Sequence, residues 1–159
     1  MTRRLWPMLV AGLLVLNLPF FATGTAQAAT GLAQAMKQVD TYLDTALRNL
    51  NSAEELVTKK SMTGVEKPMG QVRDAETKIG QALSMFKSVE ATKPTKEQLD
   101  QVQSVLKQSQ DQLKSAVSEL KNSNQKGQNY KLLTGLVTGA DRNVGRAMQT
   151  LRQMAAGKY

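Results

Sequence analysis

The chain has 159 residues, with 21 Lys and Arg against 13 Asp and Glu, and contains neither Cys nor His. Without Cys there is no disulfide, thiolate nucleophile or Cys-ligated metal, and without His there is no imidazole catalysis and no His-bound zinc or haem. Abundant Ala, Leu, Gln, Lys and Met, with aromatics at only 4%, favour helices over sheets.

The N-terminus reads as a secretory signal peptide. Arg3 and Arg4 precede the apolar run Leu5 to Ala22, and Ala26-Gln27-Ala28 supplies small residues at alternate positions, so cleavage is expected after Ala28. A retained membrane anchor is the alternative, but Pro7, Asn17 and Pro19 interrupt the run. Thr2-Arg3-Arg4 hints at a twin-arginine signal, yet the strongly apolar run suits the general secretory route better. Lacking Cys, the chain cannot carry a lipoprotein signal. Cleavage removes two of the 21 basic residues and none of the 13 acidic ones, leaving a mature charge of +6. The expected product is exported to a periplasm or thylakoid lumen, with no stable membrane span.

Four apolar stripes follow. The first, Leu32, Met36, Val39, Leu43, Ala46, Leu50, Ala53 and Val57, alternates steps of four and three, the seam spacing of a helical bundle. Thr30 is its expected N-cap, and the helix is expected over about 31–62. Gly64 and Pro68 mark a turn, and Thr63 with Glu66 has capping-box spacing for a second helix over about 66–91. Its stripe is Met69, Val72, Ala75, Ile79, Leu83, Phe86 and Val89; Pro94 closes it. Thr95 and Gln98 form another capping box. They open a third helix over about 96–122 with seam Leu99, Val102, Leu106, Ser109, Leu113, Ala116 and Leu120. After a polar loop, the fourth helix is expected over about 129–156, along Leu133, Val137, Ala140, Val144, Ala147, Leu151 and Met154. Gly135, Gly139 and Gly145 weaken it, and a break near Gly139 is conceivable, since Thr138 and Asp141 could cap a restart. Similar stripes on short connections predict an all-α, up-down-up-down antiparallel four-helix bundle in one domain, residues 29–159, after the signal peptide of residues 1–28.

Candidate chemistry is sparse. Asp40 and Asp44 share a helix face, but beside or behind the stripe, where solvated carboxylates are the expectation. Glu76 falls on the seam by strict heptad counting, unless Ala75 takes that place and leaves Glu76 at the edge. Of six mature Met residues, only Met62 and Met69, flanking the first turn, could pair outside the core to hold a soft metal. No catalytic, metal or cofactor site is expected.

The fourth helix carries the strongest charge asymmetry. Lys131, Arg142, Arg146, Arg152 and Lys158 are opposed only by Asp141. Arg142 and Arg146 lie one turn apart away from the seam. Gly135 and Gly139 share roughly that outer face, where a partner backbone could come close. The partner expected is a protein complex with an acidic surface, which could be membrane-associated. Nucleic acid is disfavoured by export and by the scarcity of aromatics.

The segment Lys67-Pro68-Met69-Gly70-Gln71-Val72-Arg73 resembles the Pro-Leu-Gly-x-Leu-Arg element of PsbQ proteins. Those are extrinsic, lumen-facing photosystem II subunits that fold as four-helix bundles and bind protein partners without cofactors. The resemblance implies a docking element at Pro68, Gly70 and Arg73. Cyanobacterial members usually carry a lipobox Cys that this chain lacks. The functional expectation is therefore a non-enzymatic protein docking on a partner, most specifically a PsbQ-like accessory subunit. The alternatives are a periplasmic carrier or sensor holding an apolar ligand or Met-ligated metal, and a periplasmic stress or chaperone-like protein.

Overall fold

A computed structural model describes the backbone of residues 22–90, 93–123 and 125–158, and side chains from Thr30 onward. The expected signal-peptide residues 1–21 lie outside that range. Four helices follow in order: α1 (Ala22–Lys59), α2 (Glu66–Glu90), α3 (Lys96–Asn122) and α4 (Gln128–Ala155). They form an antiparallel four-helix bundle in which α1 packs most closely on α4 and α2 on α3, with α3 against α4 and a looser contact between α1 and α2. The described residues contain no strand.

The stripes become the core. Val39, Leu43 and Leu50 of α1 are fully buried against Ile79 and Phe86 of α2, Leu106 and Leu113 of α3, and Leu133 and Leu151 of α4. Small residues at Ala46, Ala53, Ala75, Ala116, Ala140 and Ala147 are equally buried between them, and let neighbouring helices approach. In α2 the seam turns slightly from expectation: Ala82 is buried and Leu83 only packs against the core from the side. Ser109, the one polar residue on the third stripe, is buried and donates its hydroxyl to the Leu106 carbonyl at 3.1 Å.

Several helix ends differ from the sequence reading. α1 begins at Ala22, so Thr30 lies inside the helix rather than capping it, and Ala26-Gln27-Ala28 lies within it. No Pro follows Pro19 there, and four of the ten residues from 22 to 31 are Ala, so nothing stops the helix. The helix ends at Lys59, three residues before Met62. Ser61 takes a left-handed φ of 44°, with Ser61 N–H donating to Thr58 O at 3.2 Å and Met62 N–H to Val57 O at 3.1 Å. This is a Schellman stop. Met62 folds back on the core beside Val57 instead of extending the stripe.

α2 starts at Glu66, so Thr63 is too far upstream to cap it, and the Glu66 carboxylate instead accepts from Gly64 N–H at 3.1 Å. Val65 plugs the core at this end. The Thr95 box forms as expected: Gln98 N–H donates to Thr95 Oγ1 at 3.3 Å, and Thr95 N–H donates to Gln98 Oε1 at 2.9 Å. α4 is continuous through Gly139, so the conceivable break is absent; it closes on Gly157, with φ 66°. Thr138 donates back to Thr134 O at 2.7 Å within the unbroken helix.

Candidate functional site

The basic residues of α4 do not all share a surface. At 3.6 residues per turn, Lys131, Gly135, Arg142 and Arg146 fall within a sector of about 60°, a row about 22 Å long; Arg152 lies roughly 80° round the helix from Arg142. All four cations, and Gly135 between them, are exposed. A side chain at Gly135 would meet nothing, so the helix backbone is bare there. Leu132, 53% exposed, stands beside the row. On its inner edge the Arg146 guanidinium lies over the half-buried Tyr42 ring of α1, 5.9 Å from the centroid, which props the charge upright.

Gly139 is placed differently from expectation. A Cβ on it would come 2.9 Å from Asn49 Nδ2, so Gly139 admits the α1 side chain rather than an outside partner. Gly145 does the same for Gln110 of α3, at 3.1 Å. Both glycines serve internal packing.

The orientation of Asp141 decides the electrostatics of the face. The only acid of α4 turns toward α3, where Gln110 bonds its carboxylate and Lys114 lies near. Burial raises its pKa, and the Lys114 charge and the Gln110 bond only partly offset that. The row therefore has no acid on its own helix to neutralise it. Four ion pairs form among the described residues. Lys59–Glu55 lies within α1, Lys67–Glu119 joins α2 to α3, and Arg73–Glu54 and Lys87–Asp40 join α2 to α1. None involves α4.

Pro68, Gly70 and Arg73 belong to another part of the bundle. Pro68 is buried, and Arg73 is exposed but tied by its Nε to Glu54 Oε1 at 2.9 Å. Only Gly70, half-buried with open space above it, leaves backbone accessible. These residues sit on α2, whose main neighbour is α3, so the structure does not join them to the α4 row.

The remaining candidates resolve into structural roles. Asp40 and Asp44 are half-buried rather than fully solvated, and Asp40 reaches across to Lys87 Nζ at 3.5 Å. Ala75 occupies the seam and Glu76 its edge. There burial raises the Glu76 pKa, the Glu54 charge raises it further and Arg73 lowers it. Met69 is buried in the core, as are Met36, Met148 and Met154, so the suggested Met62–Met69 pair outside the core does not form. Among the described residues, no group of three or more acidic side chains could hold a metal ion, and no helix is long and apolar enough to cross a membrane.

Sequence reasoning missed Tyr42 as the seat of Arg146; its one signal was an aromatic next to the Leu43 seam position. It also missed a cleft where α3 passes into α4, lined by Lys121, Lys126, Tyr130 and Lys131. Compared with known proteins, the chain matches no family model, no curated protein and no solved structure.

Proposed function

We propose that the protein is an exported, non-enzymatic four-helix bundle that docks on an acidic protein surface through the basic row of α4. The observation that carries this reading is the exposed line of Lys131, Arg142 and Arg146 along one face of a helix whose only acid turns away from it. Such a line attracts an acidic surface over a distance set by salt and speeds encounter more than it deepens affinity. Gly135 lets the partner approach the backbone, and exposed Leu132 adds an apolar contact at the margin.

The most specific form of the proposal is a PsbQ-like accessory subunit of photosystem II in a thylakoid lumen, supported by the Pro68-to-Arg73 resemblance and the bundle. Since Pro68 is buried and Arg73 engaged with Glu54, that segment contributes chiefly by fixing the start of α2, with Gly70 its accessible part. The test replaces Arg142 and Arg146 with Glu together and measures binding to membranes of the source cell and to photosystem II cores stripped of extrinsic subunits. The double variant should lose at least about ten-fold in affinity, the scale of two close charge pairs, with unchanged helicity. Wild-type binding by that variant would exclude the face. Binding to source membranes but not to the stripped cores would exclude the photosystem form alone.

A further inference from the structure

The junction between α1 and α2 is looser than those of α1 with α4, α2 with α3 and α3 with α4, although a short turn joins its two helices. The bundle is thus two helix pairs, α1 with α4 and α2 with α3, joined firmly along α3 and α4. What crosses the α1–α2 junction is largely charge. Arg73 Nε holds Glu54 Oε1 at 2.9 Å near the turn, and Lys87 Nζ stands 3.5 Å from Asp40 Oδ1 toward the other end. The second distance is long for a charge-assisted hydrogen bond, and Asp40 Oδ1 is closed off from solvent without one. Gly80 of α2 lies between the two pairs, half-buried, and a Cβ there would meet nothing. Leu47, two turns from both Asp40 and Glu54, and Leu83, two turns from Glu76, are only half-buried against the core. The junction is underfilled and stands wider than its outer ion pair favours.

One group opposes its closing. Glu76 is half-buried at this junction, one turn from Arg73, but the Arg73 guanidinium is bonded to Glu54. The charges that act on Glu76 are Glu54, across the junction on α1, and Arg73 on its own helix. Asp40, Asp44 and Lys87 lie about two turns or more farther along. α3 meets the opposite edge of α2, through Gln71 and Lys78, and brings no charge to Glu76. Two carboxylates therefore share one guanidinium in a partly dry gap, and their repulsion acts to hold the helices apart.

We propose that the α1–α2 junction is a pH-sensitive clasp, ajar while Glu54 and Glu76 are both charged and closed when Glu76 takes up a proton. On closing, the α1–α4 pair swings toward the α2–α3 pair about the α3–α4 contact, and Lys87 comes within hydrogen-bond reach of Asp40. The direction follows from the surroundings of Glu76. Burial, and then the Glu54 charge, raise its carboxyl above the ordinary value of 4.5, against the pull of Arg73. The stability that protonation adds is fully present below that value and is lost as pH rises through the raised one. Mild acid thus tightens this junction. The clasp is independent of docking through α4.

The chain has no Cys, so thiols can be placed where a measurement needs them. Asn51→Cys with Thr77→Cys puts two nitroxide labels on exposed positions of α1 and α2, and Gln81→Cys with Ser104→Cys puts them across α2 and α3 as a control. The first pair should give a broad distance distribution at about pH 7.5 that narrows and shortens at about pH 5, while the control pair stays unchanged. Glu76→Gln should give the narrow distribution at both pH values. At neutral pH it should also slow thiol labelling of Leu83→Cys about three-fold relative to Met85→Cys, two turns from Lys78 and so on the α3 side, the scale of one partly exposed charge pair. A distribution indifferent to both pH and Glu76→Gln, one that widens in acid, or an equal response from the control pair would overturn the proposal.

Discussion

At the scale of single residues, position on the helix wheel was legible and facing was not. Gly135 and Gly139 differ by one turn, yet one is bare and the other admits Asn49, because the outcome depends on how near α1 comes at each level. Gly135→Ala should therefore stabilise the fold by roughly 0.5–1 kcal/mol, since Ala is the better helix former and its methyl meets nothing. Gly139→Ala should gain less, because Asn49 must swing away first; thermal unfolding of the two variants measures the difference. Asp141 likewise reads as surface charge, but α3 half-buries it. Burial raises its folded pKa above the unfolded value. The stability contribution is then fully present below the unfolded pKa and is lost as pH rises through the folded one. Asp141→Asn should match or exceed the wild type near neutral pH, by no more than about 1 kcal/mol given its exposure, with the gain vanishing below about pH 4. Melting curves at the two pH values test this.

Among the elements, the four stripes placed every helix because burying a seam is what makes each one form. The ends were less legible. Met62 is apolar at seam spacing whether it continues α1 or folds back as the hydrophobic contact of a Schellman stop, and only the φ of 44° at Ser61 separates the two. Non-Gly residues pay for that conformation, so Ser61→Gly should stabilise the bundle by about 1 kcal/mol, read from denaturant unfolding. Thr95→Ala, which removes an N-cap that the sequence did reveal, should cost about 1 kcal/mol in the same assay. Thr63, although it has capping-box spacing with Glu66, lies outside the helix and its replacement by Ala should be neutral.

For the whole molecule, an antiparallel bundle followed from stripe length and short connections, whereas the relation between distant surfaces did not. The Pro68 to Arg73 segment and the α4 row are both sequence-visible, but α2 packs on α3 and α1 on α4, which sets the two features on different parts of the bundle. Charge pairing was equally invisible: the sequence counts the cations, and only the packing shows that acids on α1 and α3 engage Lys59, Lys67, Arg73 and Lys87, and that the one acid of α4 turns away from the row. Docking through that row is the central claim. Its most direct test is photo-crosslinking in source-cell membranes, with a photoreactive residue placed at Gly135, where there is room for it, or at exposed Gln81 on α2. A discrete adduct from position 135 that fades with rising salt, and none from position 81, is the predicted result. No adduct from position 135, or adducts from position 81 instead, would contradict it.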